Sequence, residues 1–202
     1  LRTHPSPERT SAMPQNPRTT SARTVTSIDR GKLDIKALVL LAILLAAGFI
    51  LNMTLGKAIG AMSAGMINPE FIISAFCLTI LVVRPNPGQA LVIGLVSAAV
   101  IQLTTSLPGA DFVAEGVAAV LMALIVNAGM RTGARAAIPA VGTFATTFVS
   151  GFIFMLIRMA LMQFDMAIAA AMLPVVALTA VFNAVLVGAL YLPIKKALKL
   201  ND

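Results

Sequence analysis

The chain has 202 residues, of which 58% are hydrophobic and 11% charged, and its mean hydropathy is +0.93. Soluble domains carry about 25% charged residues, so this composition excludes a soluble globule and predicts an all-α integral membrane protein. The net charge is +7, and the single cysteine, Cys77, excludes an intrachain disulfide.

The N-terminal segment is basic and rich in Pro, Ser and Thr. We expect residues 1–34 to form a disordered cytoplasmic tail. The tail lacks interleaved aromatic residues, so we expect no nucleic-acid partner. The only histidine, His4, lies in this tail, and we expect no metal site and no catalytic imidazole.

Long uncharged runs follow, and a helix needs about 20 apolar residues to cross a bilayer. The runs predict six transmembrane helices within a membrane domain of residues 35–199. Their predicted positions are 37–56, 67–83, 85–110, 111–130, 137–160 and a stretch within 166–194. The segment 57–66, "KAIGAMSAGM", is small and glycine-rich, which is typical of a loop or a re-entrant piece.

The basic residues set the predicted orientation. With the N-terminus inside, every Lys and Arg except Lys57 and Arg158 falls at the inner ends of the spans or in the tail. The positive-inside rule therefore predicts that both termini are cytoplasmic.

Three ionisable residues, Glu70, Glu115 and Arg158, lie near the outer ends of their predicted spans. Such residues are costly in a membrane and usually face a cavity or a partner. We expect an outward-facing pocket for a small zwitterion or anion, with Arg158 holding a carboxylate and Glu70 or Glu115 receiving an ammonium. The alternative is interfacial snorkelling or a structural ion pair.

Uncharged polar residues accompany them. Gln102, Thr104 and Thr105 are candidates for hydrogen bonds to a substrate, or for bonds back to their own helix. Asn183 is a candidate for an interhelical hydrogen bond or for lining the pocket. Asp111 is predicted to be a helix N-cap.

The segment "FATTFVSGFIF" places Phe144, Phe148 and Phe152 on one face of a helix. Phe148 and Phe152 could stack on a planar aromatic ligand; the alternative, and the commoner reason for such a pattern, is packing of the helix. The chain contains no GxxxxGK[ST], HExxH or GxSxG motif. We therefore expect no catalytic residues, no enzyme activity and no ATP bound by a P-loop.

Three stretches carry a family resemblance. Ala42 and Ala46 form an AxxxA pair in the first span, residues 102–110 read "QLTTSLPGA" and residues 183–199 read "NAVLVGALYLPIKKALK". With six short spans, and with Glu70 following Pro69, the chain resembles the substrate-capture subunits (S components) of energy-coupling factor (ECF) transporters. It looks most like their tryptophan-transport subgroup, and the resemblance covers roughly 35–199.

The resemblance implies high-affinity capture of a small solute at the outer face of a bacterial cytoplasmic membrane. It implies association with a transmembrane coupling subunit and two ATPases that hydrolyse the ATP, while this chain binds no cofactor. Ala42 and Ala46 would contact the coupling subunit, and residues 55–66 would form a lid. The expected ligand is tryptophan or a related aromatic amino acid; the alternatives are a water-soluble vitamin or a secondary transporter working without ATPases.

Overall fold

The computed structural model describes residues 30–163 and 166–200, and within these ranges the regular structure is entirely helical. A π-helical segment, Asn52–Gly56, separates the first two helices. The α-helices are α1 (Ile35–Leu51), α2 (Lys57–Met62), α3 (Phe71–Val83), α4 (Pro87–Ile101), α5 (Ala110–Gly129), α6 (Ile138–Met162) and α7 (Met166–Ala197).

Four helical stretches are long and apolar enough to cross a membrane, as expected for a multi-pass membrane protein. They are Ile35–Met62, Ala110–Gly129, Ile138–Met162 and Met166–Ala197. The remaining two helices, α3 and α4, have 13 and 15 residues. At 1.5 Å per residue they are about 20 Å long, shorter than a hydrocarbon core of about 30 Å.

The predicted spans 67–83 and 85–110 were therefore too long. Asn68 precedes Pro69, and the residue before a proline is disfavoured in helical conformation, so α3 begins only at Phe71. At its start α4 has a capping box, in which the Asn86 side chain accepts from the Gln89 N–H at 2.9 Å. It ends at Ile101, before the polar segment 102–109.

The segment 57–66 was considered as a loop or a re-entrant piece, and its residues 57–62 form the helix α2 and not a loop. The first helix continues through the π-helical segment into α2, and only residues 63–70 leave the helix. Single-turn π-helical insertions occur often at functional sites. Here the π-helical segment rotates the side chains of α2 relative to those of α1, and residues of the segment line a cavity.

α3 forms the centre of the bundle. Every one of its residues is buried, and it contacts α1, α5 and α7. Two glycines permit close packing around this centre. A methyl group at Gly48 would lie 2.9 Å from the Phe71 carbonyl oxygen, and one at Gly94 would lie 2.5 Å from the Glu115 carbonyl oxygen.

One end of the bundle is closed by apolar packing. Ala37, Val82, Val83 and Leu200 form one cluster there, and the Gly31 N–H donates to the Val83 carbonyl oxygen at 2.8 Å. Residues near both ends of the membrane domain thus lie at the same end of the bundle. Its assignment to the cytoplasm remains a prediction, and the predicted tail, apart from residues 30–34, lies outside the described residues.

Candidate functional site

The opposite end of the bundle holds a cavity of about 830 Å³. It exists because α3 and α4 stop short at this end, while the helical stretches on either side continue past them. Its walls come from the π-helical segment, the start of α5, the second half of α6 and the first turns of α7. Ligand pockets commonly measure about 300–1,000 Å³, so the cavity has room for a small organic molecule.

The segment that leads into α3 is held by side chains from other helices. The Asn68 N–H donates to Thr179 Oγ1 at 3.2 Å, and the Phe71 N–H donates to Asn52 Oδ1 at 3.0 Å. Between them, the Glu70 N–H donates to Asn183 Oδ1 at 3.3 Å. These bonds satisfy backbone donors just before and at the start of α3, which have no partner within that helix, and they fix Glu70 at the edge of the cavity.

Asn183 itself does not line the cavity. It is 0% exposed, and its Nδ2 donates to the Glu70 carbonyl oxygen at 3.2 Å and to Thr147 Oγ1 at 3.3 Å. The interhelical hydrogen bond considered from the sequence is present. Asn183 therefore positions Glu70 rather than facing the cavity.

Glu115 belongs to α5, lines the cavity and bonds across to α6. Its Oε1 accepts from the Ser150 hydroxyl at 2.7 Å, whereas its Oε2 is buried and has no hydrogen-bond partner in the described part of the chain. Its carboxylate interacts electrostatically with those of Glu70 and Asp111. Three acidic side chains thus lie near one another at the cavity.

The segment 102–109 closes around Gln102. Gln102 Oε1 accepts from the Gly109 N–H at 2.9 Å, and Gln102 Nε2 donates to Asp111 Oδ2 at 3.1 Å. Gln102 does not line the cavity; it braces this segment against the start of α5.

The N-cap predicted at Asp111 was wrong. The N-cap position of α5 belongs to Gly109, whose φ of +89° suits glycine. Asp111 lies inside the first turn, and its side chain faces the cavity.

Thr104 and Thr105 line the cavity at the end of α4. Thr104 Oγ1 donates to the Ile101 carbonyl oxygen at 3.3 Å, while Thr105 Oγ1 accepts from the Leu107 N–H at 3.3 Å. Thr104 therefore makes the bond back to its own helix considered from the sequence, Thr105 bonds forward to the next residues of the loop, and both border the cavity.

Basic side chains complete the lining. Arg158 on α6 and Lys57 at the start of α2 both border the cavity. Arg158 follows Ser150 by about two helical turns, or about 12 Å along α6. The positive charge of Arg158 thus lies toward the α6 C-terminus, and the Glu115–Ser150 pair lies deeper in the bundle.

The two predicted stacking residues lie elsewhere. Phe144, Phe148 and Phe152 stack along one face of α6, with neighbouring ring centroids 6.1 and 6.3 Å apart. Phe152 is 37% exposed, and neither it nor Phe148 lines the cavity. Phe154, on a different face of the same helix, does line it.

The structure thus brings five of the sequence-derived candidates to one cavity: Glu70, Thr104, Thr105, Glu115 and Arg158. It adds lining residues that the sequence analysis did not select: Asn52, Lys57, Asn68, Asp111, Thr147, Ser150, Phe154 and Thr179. Thr147 and Ser150 were detectable in principle, because they recur at helical spacing with Phe154 and Arg158 on one face of α6. Asn52 and Asn68 gave no such periodic signal.

Within the described residues, no group of three or more His, Cys, Asp or Glu side chains is placed to hold a metal ion. The acidic, basic and hydroxyl groups around an apolar-walled space are instead suited to binding a small organic solute by hydrogen bonds and charge. No protein-family model, curated protein or solved structure matches this chain.

Proposed function

We propose that the protein is the solute-capturing membrane subunit of an ECF-type importer. It takes a small solute, best matched by tryptophan or a related aromatic amino acid, from outside a bacterial cytoplasmic membrane. It then passes the solute on with a transmembrane coupling subunit and two ATPases. The observation that supports this proposal most is the cavity of about 830 Å³ near one end of the bundle, which five sequence-derived candidates line.

The lining chemistry supports an amino-acid ligand. A zwitterion needs a cation for its carboxylate and an acceptor for its ammonium, and the cavity offers Arg158 for the first and Glu115 for the second. An aromatic side chain also needs apolar and aromatic walls, which Phe154, Met172 and Val176 provide.

The placement of the cavity also fits the proposal. The predicted orientation puts this end of the bundle outside the cell. Residues 55–66 were expected to form a lid, and Gly56, Lys57 and Gly65 of that segment border the cavity. A movement of α2 and the turn after it would open or cover the ligand.

The first helix offers a surface for a partner. Ala42 and Ala46 are exposed on α1, and small residues four apart let another transmembrane helix approach closely. In the proposed complex this face contacts the coupling subunit.

The first test is a thermal-unfolding panel on the detergent-purified chain, with amino acids and water-soluble vitamins as additives. L-tryptophan should raise the unfolding temperature, because a ligand at a hundredfold excess over its Kd stabilises by about 2.7 kcal/mol. Stabilisation by a vitamin and not by tryptophan would keep the class of protein and reject the proposed ligand.

The second test separates capture from transport. Replacing Ala42 and Ala46 with leucine should leave tryptophan binding unchanged, but should stop uptake and co-purification with the coupling subunit. Ala47→Leu, also exposed on α1, is the matched control and should leave both intact. Uptake that persists in cells lacking every ATPase partner would replace this proposal with a secondary transporter.

A further inference from the structure

We infer that the cavity selects its ligand by a positively charged nitrogen, which the Glu115 carboxylate binds at the deep end of the cavity. The inference rests on the proposed function, and it narrows the ligand from "zwitterion or anion" to a compound that carries an ammonium or another protonated nitrogen. A ligand carboxylate adds affinity at Arg158 but is not required for binding, and a ligand without the cation binds much more weakly.

One oxygen of the Glu115 carboxylate is available to a ligand. Glu115 is 3% exposed, and its Oε1 is already occupied by the Ser150 hydroxyl. Its Oε2 has no hydrogen-bond partner among the described residues. A buried polar atom without a partner carries a desolvation cost, and a donor on a bound ligand would remove that cost.

The ionisable side chains nearest to this oxygen are acidic. Glu70 and Asp111 also line the cavity, and their carboxylates interact with that of Glu115. An anion placed here would meet three acidic groups, whereas a cation would be attracted by all of them. The deep end of the cavity therefore favours cationic over anionic ligands, whatever their shape.

Glu115 differs from its two acidic neighbours in its hydrogen bonding. The Asp111 carboxylate already accepts from Gln102, and the Glu70 side chain lies against Asn52. Glu115 alone combines near-complete burial with an oxygen that is free to accept. It is therefore the residue to which a ligand's N–H groups would bind, and the other two carboxylates add attraction.

The remaining walls favour an organic body for the cation. Within the described residues, no group of three or more His, Cys, Asp or Glu side chains is placed to hold a metal ion. The walls instead include apolar side chains such as Ile73, Met172 and Val175. A cationic nitrogen on an organic body satisfies both the carboxylate and these walls.

The position of Glu115 is fixed by its backbone as well as by Ser150. Gly94 on α4 packs so closely against α5 that a methyl group there would lie 2.5 Å from the Glu115 carbonyl oxygen. The acceptor is thus held before the ligand arrives, which lowers the entropic cost of binding.

The experiment uses three compounds that share an indole ring: L-tryptophan, tryptamine, which lacks the carboxylate, and indole-3-propionate, which lacks the ammonium. Binding to the full chain in detergent is measured by thermal unfolding and by calorimetry. Tryptophan and tryptamine should both bind, and indole-3-propionate should bind at least about tenfold more weakly than tryptophan, because it loses a hydrogen bond to a charged group.

Glu115→Gln is the diagnostic variant. The amide keeps an oxygen that can accept from Ser150, so the fold should be retained, but the charge is lost. It should weaken tryptophan and tryptamine binding at least about tenfold and leave indole-3-propionate unchanged or tighter. Asp111→Asn is the matched comparison, and its effect should be smaller because that carboxylate already has a partner in Gln102.

A second pair of probes covers the case in which no indole compound binds. Pyridoxamine carries a protonated amine where 4-pyridoxate carries a carboxylate on the same ring, so the same assay with these two tests charge selection while the proposed tryptophan ligand fails. The inference is overturned if 4-pyridoxate or indole-3-propionate binds as tightly as its cationic counterpart. It is also overturned if Glu115→Gln preserves the preference for the cation, or if no cationic probe stabilises the protein.

Discussion

Two faces of α6 carry different side chains, and only one of the two faces lines the cavity. One face bears Phe144, Phe148 and Phe152, whose rings stack, and Phe144 and Phe152 are 38% and 37% exposed. The other bears Thr147, Ser150, Phe154 and Arg158, all of which line the cavity. A regular aromatic row marks a helix face, but it does not distinguish a lipid-facing surface from a binding surface. Buried hydroxyls at helical spacing with a charged residue do indicate a binding surface. Burying a hydroxyl in an apolar environment costs free energy unless it has a polar partner.

The largest expected effect comes from adding bulk to the cavity-lining face at Gly151, where α6 packs against α7. A methyl group at Gly151 would lie 2.9 Å from Val176 Cγ1 on α7. Gly151→Val should therefore push α6 and α7 apart, abolish stabilisation by L-tryptophan and cost about 1–3 kcal/mol of stability through overpacking. Thermal unfolding with and without tryptophan measures both.

Ala160→Val is the control for this change, since Ala160 is exposed on the same helix. It should leave unfolding and ligand stabilisation close to those of the unchanged chain. Wild-type ligand stabilisation in Gly151→Val would show that the ligand does not contact this face.

Removing the charged group on the same face should have the next largest effect. Arg158→Ala should weaken tryptophan binding at least about tenfold while the protein remains folded, because a hydrogen bond to a charged group contributes about 1.5–3 kcal/mol. Arg158→Lys should recover only part of the loss, since an ammonium cannot bind a carboxylate through two parallel bonds. Arg131→Ala, on the connection between α5 and α6 at the other end of the bundle, is the control; equal affinities for all of these variants would assign Arg158 to a structural pair.

The smallest expected effect comes from replacing Phe with Ala once on each face of α6, which compares the two faces by the same substitution. Phe154→Ala should weaken binding of an aromatic ligand about two- to twelvefold, as expected for loss of an aromatic contact worth about 0.5–1.5 kcal/mol. Phe152→Ala should leave the affinity unchanged. Calorimetric titration distinguishes them, and a larger loss at Phe152 would place the ligand on the stacked face instead.

The extent to which the fold follows from the sequence differs between helices. The predicted span 111–130 agrees closely with α5 at Ala110–Gly129, and 137–160 agrees with α6 at Ile138–Met162, because charged or glycine-containing turns bound these apolar runs. Hydropathy failed at α3 and α4 because the residues left outside these helices, 67–70 and 102–109, contain only one charged residue, Glu70. Pro69 delays the start of α3, and the bonding of Gln102 accompanies the end of α4.

The candidate site was predictable where charge was involved. Glu70, Glu115 and Arg158 are conspicuous in apolar runs, and all three border the cavity. Asn183 is equally conspicuous, but its partners are 113 and 36 residues away in the chain. Only the folded chain shows that these partners occupy its amide, so that it positions Glu70 and does not face the ligand.

The continuous helix through residues 57–62 could not have been predicted from composition. Its glycines and small residues are typical of loops, yet the π-helical segment Asn52–Gly56 joins it to α1 without a break. Asn52, Met53 and Gly56 of this segment line the cavity, and neither hydropathy nor a 3.6-residue period reveals a π-helical turn.

The central claim, that a solute occupies this cavity, is tested most directly by ligand protection of an introduced thiol. The only native cysteine, Cys77, is 0% exposed, so maleimide labelling reports on added cysteines. Thr104→Cys lies in the cavity lining, and Leu103→Cys replaces a neighbour that is 73% exposed and outside the lining. Saturating L-tryptophan should slow labelling of Thr104→Cys several-fold and leave Leu103→Cys unchanged; equal rates with and without the ligand at both positions would contradict the claim.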